Sequence, residues 1–226
     1  MIKVSNLSKS YGSNEVLNDI NIELSSGKIF GFVGENGSGK TTLFKCIAGL
    51  EDYIGTIDSD YKPLKNHLGL LLTEPYFLPK LTAREYIILM CDARGKKHND
   101  IDKKNIFELP LDKYAAEYST GMKKKLAIFA ILLQGNSYFI LDEPYNGVDI
   151  QSNIMISELI KNLKNLGKTV LVSSHIISGL TDLCDKIFLL NDGQIRKDFS
   201  RDNFHLINKE MLKDNFTSKI NLLDLE

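Results

Sequence analysis

The chain has 226 residues, of which 43% are hydrophobic and 25% are charged, and its formal net charge is −1. This length is enough to bury a full core, and the near-neutral charge gives no broad attraction to nucleic acid or to anionic lipid. The longest apolar run, 127–133, is far too short to span a bilayer, and the N-terminus carries no signal segment. We therefore expect neither a direct membrane span nor a nucleic-acid partner.

Three cysteines, Cys46, Cys91 and Cys184, are widely scattered along the chain. Their odd number and the absence of metal-site spacing favour buried free thiols in a reducing cytosol over a disulfide framework. We expect a cytoplasmic protein.

The N-terminal part of the chain predicts β-structure. Clustered and alternating apolar residues, separated by turn signals at 12–14 and 25–27, predict strands at 2–7, 16–24 and 29–33. Two more strands are predicted at 55–58 and 68–72.

Residues 34–42 match the phosphate-binding motif G-x-x-x-x-G-K-[ST] completely, as Gly34-Glu35-Asn36-Gly37-Ser38-Gly39-Lys40-Thr41-Thr42. Gly34, Gly37 and Gly39 permit a backbone path that aims N–H groups at phosphates. Lys40 would bind the β- and γ-phosphates, and the Thr41 hydroxyl would ligate Mg²⁺. An apolar strand before the motif and a short helix predicted at 42–50 provide the setting it requires. The sequence therefore predicts that the chain binds a nucleoside triphosphate.

The pattern becomes helical after the fifth strand. Thr82 and Glu85 form a capping box that predicts a helix from 82 to about Ala93, with Gly95 just beyond. We expect residues 74–118 to form a small inserted helical lobe.

Helices and strands alternate in the second half of the chain. The predicted elements are, in order, helix 121–133, strand 138–141, helix 150–166, strand 169–173, helix 176–184, strand 187–190, a hairpin turn at 192–193 and strand 194–199. This alternation favours an α/β domain with a mostly parallel sheet and helices on both faces. We expect one domain over 1–226, with a partly amphipathic C-terminal extension at 201–226 whose role the sequence does not reveal.

Polar residues follow two of the buried strands. Asp142 and Glu143 end the apolar strand 138–141, at the sheet edge where ligands of parallel sheets bind. With the phosphate motif upstream, Asp142 is predicted to hold Mg²⁺ and Glu143 to act as the general base toward an attacking water. His175 ends the strand 169–173, and its position makes it a candidate sensor of the γ-phosphate.

The stretch 118–126, Tyr-Ser-Thr-Gly-Met-Lys-Lys-Lys-Leu, opens the predicted helix at 121–133. Ser119 can cap this helix, whose free N–H groups form an anion site. On the residues alone, the simpler interpretation is a capped helix whose three lysines form a solvated face.

Taken together, these motifs resemble the nucleotide-binding subunit of an ATP-binding-cassette (ABC) transporter over nearly the whole chain. Six motifs occur in the order found in that family: the adenine-stacking segment 7–12 with Tyr11 as the aromatic platform, Walker A at 34–42, a signature at 119–122, Walker B at 138–143, a D-loop at 146–149 and the switch histidine His175. The resemblance implies a P-loop ABC-cassette fold with an N-terminal antiparallel β-region. It also implies a head-to-tail dimer in which Ser119 and Gly121 of one subunit complete the ATP site of the other.

Two departures from the family pattern stand out. The signature has Thr120 and Met122 where the family has glycine and glutamine, a form that resembles the bacitracin- and lantibiotic-type export and immunity branch. In the Q-loop, Thr73 occupies the glutamine position and Glu74 follows it, so that either one is the alternative metal ligand. We expect the coupling role of this loop to tolerate the change.

The function implied by the resemblance is an ATP-hydrolysing motor that uses ATP and Mg²⁺, dimerises with an identical or a sister subunit, and drives a separate integral membrane permease, in export. The protein would then lie at the cytoplasmic face of the membrane, with 74–118 gripping the permease; Phe77, Leu78 and Tyr86 are either its contacts or lobe core. Two alternatives remain open: a soluble ABC ATPase without a permease, and a weakly hydrolysing regulatory subunit.

Overall fold

The computed structural model describes residues 1–211. Its strands are β1 (Ile2–Tyr11), β2 (Asn14–Leu24), β3 (Ile29–Val33), β4 (Ile54–Ser59), β5 (Leu68–Leu71), β6 (Tyr138–Leu141), β7 (Thr169–Ser173), β8 (Lys186–Asn191) and β9 (Gln194–Ser200). Its α-helices are α1 (Lys40–Ile47), α2 (Ala83–Asp92), α3 (Ile101–Lys104), α4 (Thr120–Leu133), α5 (Ile150–Asn165), α6 (Ile177–Thr181) and α7 (Ile207–Met211). Single 3₁₀ turns cover Leu64–His67, Ala115–Glu117 and Arg201–Leu206.

Three strands form the predicted N-terminal antiparallel sheet, in the order β2-β1-β4. β1 extends to Tyr11, beyond the predicted end at Leu7. The apolar alternation stops at Leu7, but backbone pairing with β2 continues through the hairpin to the pair Tyr11–Asn14. Backbone hydrogen bonds, which the apolar pattern does not report, therefore set the length of this strand.

The second sheet has six strands in the order β5-β6-β7-β3-β8-β9, and all neighbours are parallel except β8 and β9. The predicted mostly parallel sheet is confirmed. Because β5, β6, β7 and β3 lie side by side, the loops that follow their carboxyl ends converge at one edge, which is where parallel sheets bind ligands.

Alternate residues of the central strands belong to two hydrophobic layers. Phe30 and Phe32 of β3 face the layer that contains α1 and the antiparallel sheet, where Phe32 meets Phe44 edge to face with ring centroids 5.2 Å apart. Ile29 and Val33 face the layer that contains α4, α5 and α6. Helices therefore cover both faces, as the alternation of elements predicts.

Helix boundaries differ from the predictions by two or more residues at both ends of α1 and at the end of α6. α1 begins at Lys40, before the predicted start at 42, because Gly39 already serves as its N-cap, and it ends at Ile47, before the predicted end at 50. α6 ends at Thr181, short of the predicted 184, since the N–H groups of Leu183 and Cys184 both donate to the carbonyl of Leu180 and the chain then turns into β8.

The predicted helical lobe, 74–118, contains α2 and α3. Arg84 at the start of α2 ties the lobe together by donating to the carboxylates of Asp102 and Asp112. Of the expected permease contacts, Phe77 is buried and packs against Tyr86 with ring centroids 4.6 Å apart, whereas Leu78 is half exposed. Phe77 and Tyr86 therefore belong to the core of the lobe.

The predicted C-terminal extension, 201–226, is described only as far as Met211, so its residues from Leu212 onward lie outside the described part of the chain. Within residues 1–211, no helix has both the length and the apolar character needed to cross a bilayer.

The predicted capping box opens α2: the Thr82 hydroxyl accepts from the Glu85 N–H at 3.2 Å, and the Glu85 carboxylate accepts from the Thr82 N–H at 2.8 Å. We expect Thr82→Ala to lower the free energy of unfolding by about 1 kcal/mol because an N–H group at the helix start loses its partner. Urea titration measures this change. Thr82→Ser, which keeps the hydroxyl, is the matched control, and equal stability of the two variants would contradict the capping role.

Candidate functional site

An open cavity of about 450 Å³ lies at the carboxyl ends of β3, β5 and β6. Its walls come from the phosphate motif and from the segments that follow β5 and β6: Val16, Asn36, Gly37, Gly39, Lys40, Thr41, Thr42, Thr73, Asp142, Glu143 and Asn146. The structure thus brings most of the predicted nucleotide and metal residues to one cavity. The other predicted residues do not line it: Tyr11, Gly34, Glu35, Ser38, Glu74, Ser119, Gly121 and His175.

The phosphate motif curls around the Lys40 ammonium, which donates to the backbone carbonyls of Gly34 at 2.8 Å and Glu35 at 2.9 Å. Gly39 caps α1 with φ = 105°, a conformation that disfavours a side chain. Lys40 is buried, and this burial lowers the pKa of its ammonium although Glu143 and Asp142 oppose the effect. Its charge faces the cavity together with the N-terminus of α1, an arrangement that suits an anion.

The Asp142 carboxylate is the centre of the site. It is fully buried, and three hydroxyls donate to it: Thr41 at 2.6 Å, Thr73 at 2.7 Å and Ser173 at 2.6 Å. A buried charge requires such bonds because it has lost its water. Segments that follow β3, β5 and β7 are thereby joined at the end of β6.

Glu143 has an unusual backbone and a directed side chain. Its φ of 49° is left-handed, which is uncommon for a residue with a side chain, and its N–H donates to the Ser173 hydroxyl at 2.8 Å. One carboxylate oxygen lies 3.0 Å from His175 Nδ1. Among residues 1–211, nothing hydrogen-bonds the other oxygen, Oε1, although it is buried. This carboxylate therefore has a free acceptor at the cavity wall.

The donor set at Asp142 suits Mg²⁺. Carboxylate and hydroxyl oxygens are hard ligands, and Mg²⁺ is commonly held by one or two carboxylates plus substrate phosphates. Residues 1–211 contain no cluster of three or more His, Cys, Asp or Glu that could hold a metal ion. Thr41, Asp142 and Thr73 fit the expected metal.

The two alternatives in the Q-loop occupy different surroundings. Thr73 lines the cavity and contacts Asp142, whereas Glu74 is exposed and does not line the cavity. Of the two, Thr73 is the one that the structure places beside the Asp142 carboxylate.

Tyr11, the predicted adenine platform, lies at the end of β1 and is 45% exposed. The Lys9 ammonium lies 4.7 Å from its ring centroid; burial raises the pKa of the Tyr11 hydroxyl, and the side chains of Glu51 and Thr42 lie close enough to act on that pKa. Thr42 lines the cavity, so Tyr11 stands next to the cavity wall with its ring partly free.

The predicted signature residues lie away from this cavity. Ser119 is exposed and caps α4, with its hydroxyl accepting from the Met122 N–H at 3.3 Å. Gly121 packs against the D-loop, where a Cβ would come within 2.7 Å of the Gly147 carbonyl oxygen. A glycine is therefore required at 121 within one subunit, whatever a second subunit contacts.

Two features were not predicted from the sequence. The lysines 123–125 are not a solvated face: Lys124 is only 1% exposed and donates to the backbone carbonyl of Glu143, and Lys125 donates to Ser152 at 3.1 Å. The second feature is Ser173, which ends β7 as the sequence predicts but also bridges Asp142 and Glu143, and this bridge is not predicted. The only signal in the sequence is a polar residue at the carboxyl end of a strand, next to the strand that ends at Asp142.

Comparison with known proteins gives a consistent match. The family model described as ABC transporter matches residues 17–146. The chain is 31% identical over 234 residues to the bacitracin transport ATP-binding protein of Bacillus licheniformis, covering 94% of this chain and 74% of that protein. It is also 31% identical over 207 residues to the lantibiotic transport ATP-binding protein of Streptococcus pyogenes, covering 86% and 89%.

Solved structures share the fold. An ATP-binding subunit of an ABC transporter matches with a TM-score of 0.80 and 24% identity, covering 98% of each chain. A dimeric post-hydrolysis ATP-binding cassette bound to ADP and Pi matches with a TM-score of 0.81 and 23% identity, covering 89% of this chain and 99% of that one. At these identities the likeness is one of fold alone.

Removal of the Ser173 hydroxyl would leave the buried Glu143 N–H without its acceptor and take one donor from Asp142. We expect Ser173→Ala to lower the free energy of unfolding by about 1–3 kcal/mol. Urea titration measures the change. Ser178→Ala, at an exposed serine of α6, is the control, and a Ser173 variant as stable as this control would contradict the bridging role.

Proposed function

The chain belongs to the ABC transporter family and is an ATPase of that family, and on this basis we propose that it is the motor subunit of a transporter that closes head to tail with a second subunit around two Mg-ATP. The proposal rests on one observation: the Asp142 and Glu143 carboxylates and the Lys40 ammonium face one cavity at the end of the parallel sheet. This is the arrangement that phosphoryl transfer to water requires.

ATP binding would replace contacts that the protein makes with itself. The Lys40 ammonium, bonded to the Gly34 and Glu35 carbonyls, would donate to the β- and γ-phosphate oxygens. The free N–H groups at the start of α1 would bind the same phosphates. Tyr11 would stack on the adenine, since its ring is partly exposed beside Thr42. Glu35, Asn36, Gly37, Ser38 and Gly39 would complete the loop around the phosphates.

In hydrolysis, Glu143 would accept a proton from the attacking water. The water oxygen then forms a bond to the γ-phosphorus, the bond from that phosphorus to the β–γ bridging oxygen breaks, and ADP and phosphate are released. The unpartnered Oε1 of Glu143 suits this task, because His175 holds only the other oxygen of the carboxylate. His175 would thus fix the direction of the base.

Mg²⁺, when bound, would neutralise charge on the phosphates. The Thr41 hydroxyl and the Asp142 carboxylate would hold it, with Thr73 in the place that a glutamine occupies in the family.

The position of the signature residues supports the proposed dimer. Ser119 is exposed at the N-terminus of α4 and lies outside the cavity of its own subunit. A second subunit, identical or homologous, would place the same turn against the phosphates and complete the site. Closure by binding and opening after hydrolysis would convert ATP turnover into movement.

A membrane permease would use this movement. The relatives named for bacitracin and lantibiotic transport support such a partner and support export, and the 74–118 lobe would be its docking region. The exposed apolar side chains of this lobe include Tyr76, Leu78, Leu89, Ile106 and Tyr114. The protein would then work at the cytoplasmic face of the membrane.

We expect Glu143→Gln to lower kcat by about 100-fold or more, because an amide cannot accept the proton. Steady-state phosphate release, measured against protein concentration, tests this. The wild-type rate should rise more than linearly with concentration, and the variant should form a stable dimer with ATP in size-exclusion chromatography.

The Glu143→Gln variant keeps Asp142, so we expect it to bind ATP as the wild type does. Measurement of its ATP binding is therefore the internal control. Linear concentration dependence would contradict the shared site, and wild-type binding without turnover would favour the regulatory alternative.

Thr73 gives a separate test of the metal side of the cavity. We expect Thr73→Val to raise the Mg²⁺ concentration for half-maximal ATPase activity by about 10-fold, since the variant keeps the shape but loses the hydroxyl beside Asp142. Mg²⁺ titration at saturating ATP measures this. Thr73→Ser keeps the hydroxyl and should behave like the wild type, and identical titrations for Val and Ser would contradict a role for Thr73 at the metal.

A further inference from the structure

Lys124 is a buried ammonium that the mechanism above does not use. It belongs to the first turns of α4 and is 1% exposed, and its side chain points at the backbone of Glu143. It is not among the residues that line the nucleotide cavity, so it lies behind the catalytic carboxylate. Burial of a lysine is costly unless its donors are satisfied, which implies that this side chain has a definite task.

The residue that Lys124 contacts, Glu143, has a strained backbone. The Glu143 backbone has a φ of 49°, and residues with a side chain adopt this left-handed conformation only when their surroundings enforce it. Three contacts hold it here: Ser173 accepts from the Glu143 N–H, and the Lys124 ammonium and the Asn146 N–H both donate to the Glu143 carbonyl, the latter at 3.3 Å. With both ends of the residue fixed, its side chain is directed to the cavity wall and to His175.

Other residues of α4 contact the segment that follows Glu143. Gly121 packs against the Gly147 carbonyl, and Lys125 donates to Ser152 at the start of α5. Lys124 alone among these reaches Glu143 itself. The charged groups near Lys124 are the carboxylates of Glu143, Asp142 and Glu74; burial lowers the pKa of the Lys124 ammonium, and these carboxylates oppose that effect only in part.

We propose that Lys124 is a positioning residue for ATP hydrolysis: by its hydrogen bond to the Glu143 carbonyl, it holds the left-handed backbone that aims the general base at the attacking water. This inference rests on the proposed function of Glu143. It assigns Lys124 no contact with ATP, so its loss should affect the chemical step and leave nucleotide binding unchanged.

The experiment compares four variants of the full chain. Lys124→Met removes the hydrogen bond and fills the same space, and urea titration checks that this variant is folded, because loss of one partner of a buried charge pair can destabilise a protein. Lys124→Arg and Lys124→Gln each retain an N–H donor; the arginine keeps the positive charge, and the glutamine removes it. Lys123→Met makes the same change at the neighbouring lysine, which is not buried. Steady-state kinetics give kcat and KM, and calorimetric titration with ATP gives the affinity.

We expect Lys124→Met to lower kcat by about 100-fold, the effect of a small misplacement of a catalytic group, with unchanged ATP affinity. Arg and Gln should restore most of kcat, and Lys123→Met should match the wild type. A Met variant with wild-type kcat, or one whose ATP affinity falls together with kcat, would overturn the proposal. So would a Gln variant as impaired as Met, because the hydrogen bond would then not be the cause.

Crystal structures of the wild type and Lys124→Met provide a test that does not depend on turnover. We expect Glu143 to leave the left-handed region in the variant and its carboxylate to separate from His175. An unchanged Glu143 conformation would overturn the proposal even if the kinetics agreed. Absence of ATP hydrolysis by the wild type would contradict the proposed function itself, and this result is distinct from those that test Lys124.

Discussion

The buried carboxylate of Asp142 is the constraint on which the site depends. A charge that is withdrawn from water must be hydrogen-bonded, and the three donors come from segments far apart in the chain, Thr41, Thr73 and Ser173. They can meet only because β5, β6, β7 and β3 are neighbours in the sheet and end at the same edge. The strand order therefore brings the residues of this site together, and hydrogen bonds to one carboxylate join the loops.

Much of this architecture could be predicted from the sequence, since its signals are local. The phosphate motif specifies its own loop through Gly39 and Lys40, the capping box at Thr82 specifies where α2 begins, and alternating apolar runs specify the strands. The position of Asp142 and Glu143 after a buried strand was informative because parallel sheets place such residues together. Helix ends were less predictable, as α6 shows: local hydrogen bonds to the Leu180 carbonyl close its last turn, and the Asp185 N–H then donates to the Ile29 carbonyl of β3.

The remainder depends on contacts that have no local signature. Lys124 lies between two other lysines, and only the packing of α4 against the segment after β6 decides that it is buried and its neighbour is not. Ser173 looks like an ordinary end of a strand until Asp142 is beside it. The left-handed backbone of Glu143 is equally invisible, because no glycine marks it. The Q-loop departure illustrates the converse: the sequence shows the missing glutamine, and only the structure shows that Thr73 still reaches Asp142.

Charge explains why two lysines are needed. Asp142 and Glu143 are two buried carboxylates, and two buried ammonium groups, Lys40 and Lys124, lie near them. Lys40 faces the cavity, so its charge is available to phosphates, and once it binds them it contributes less to the carboxylates. Lys124 lies behind Glu143 and keeps its contact whether or not a phosphate is present. A division of this kind lets one cation respond to the substrate while the other keeps the catalytic backbone fixed, which a single shared lysine could not do.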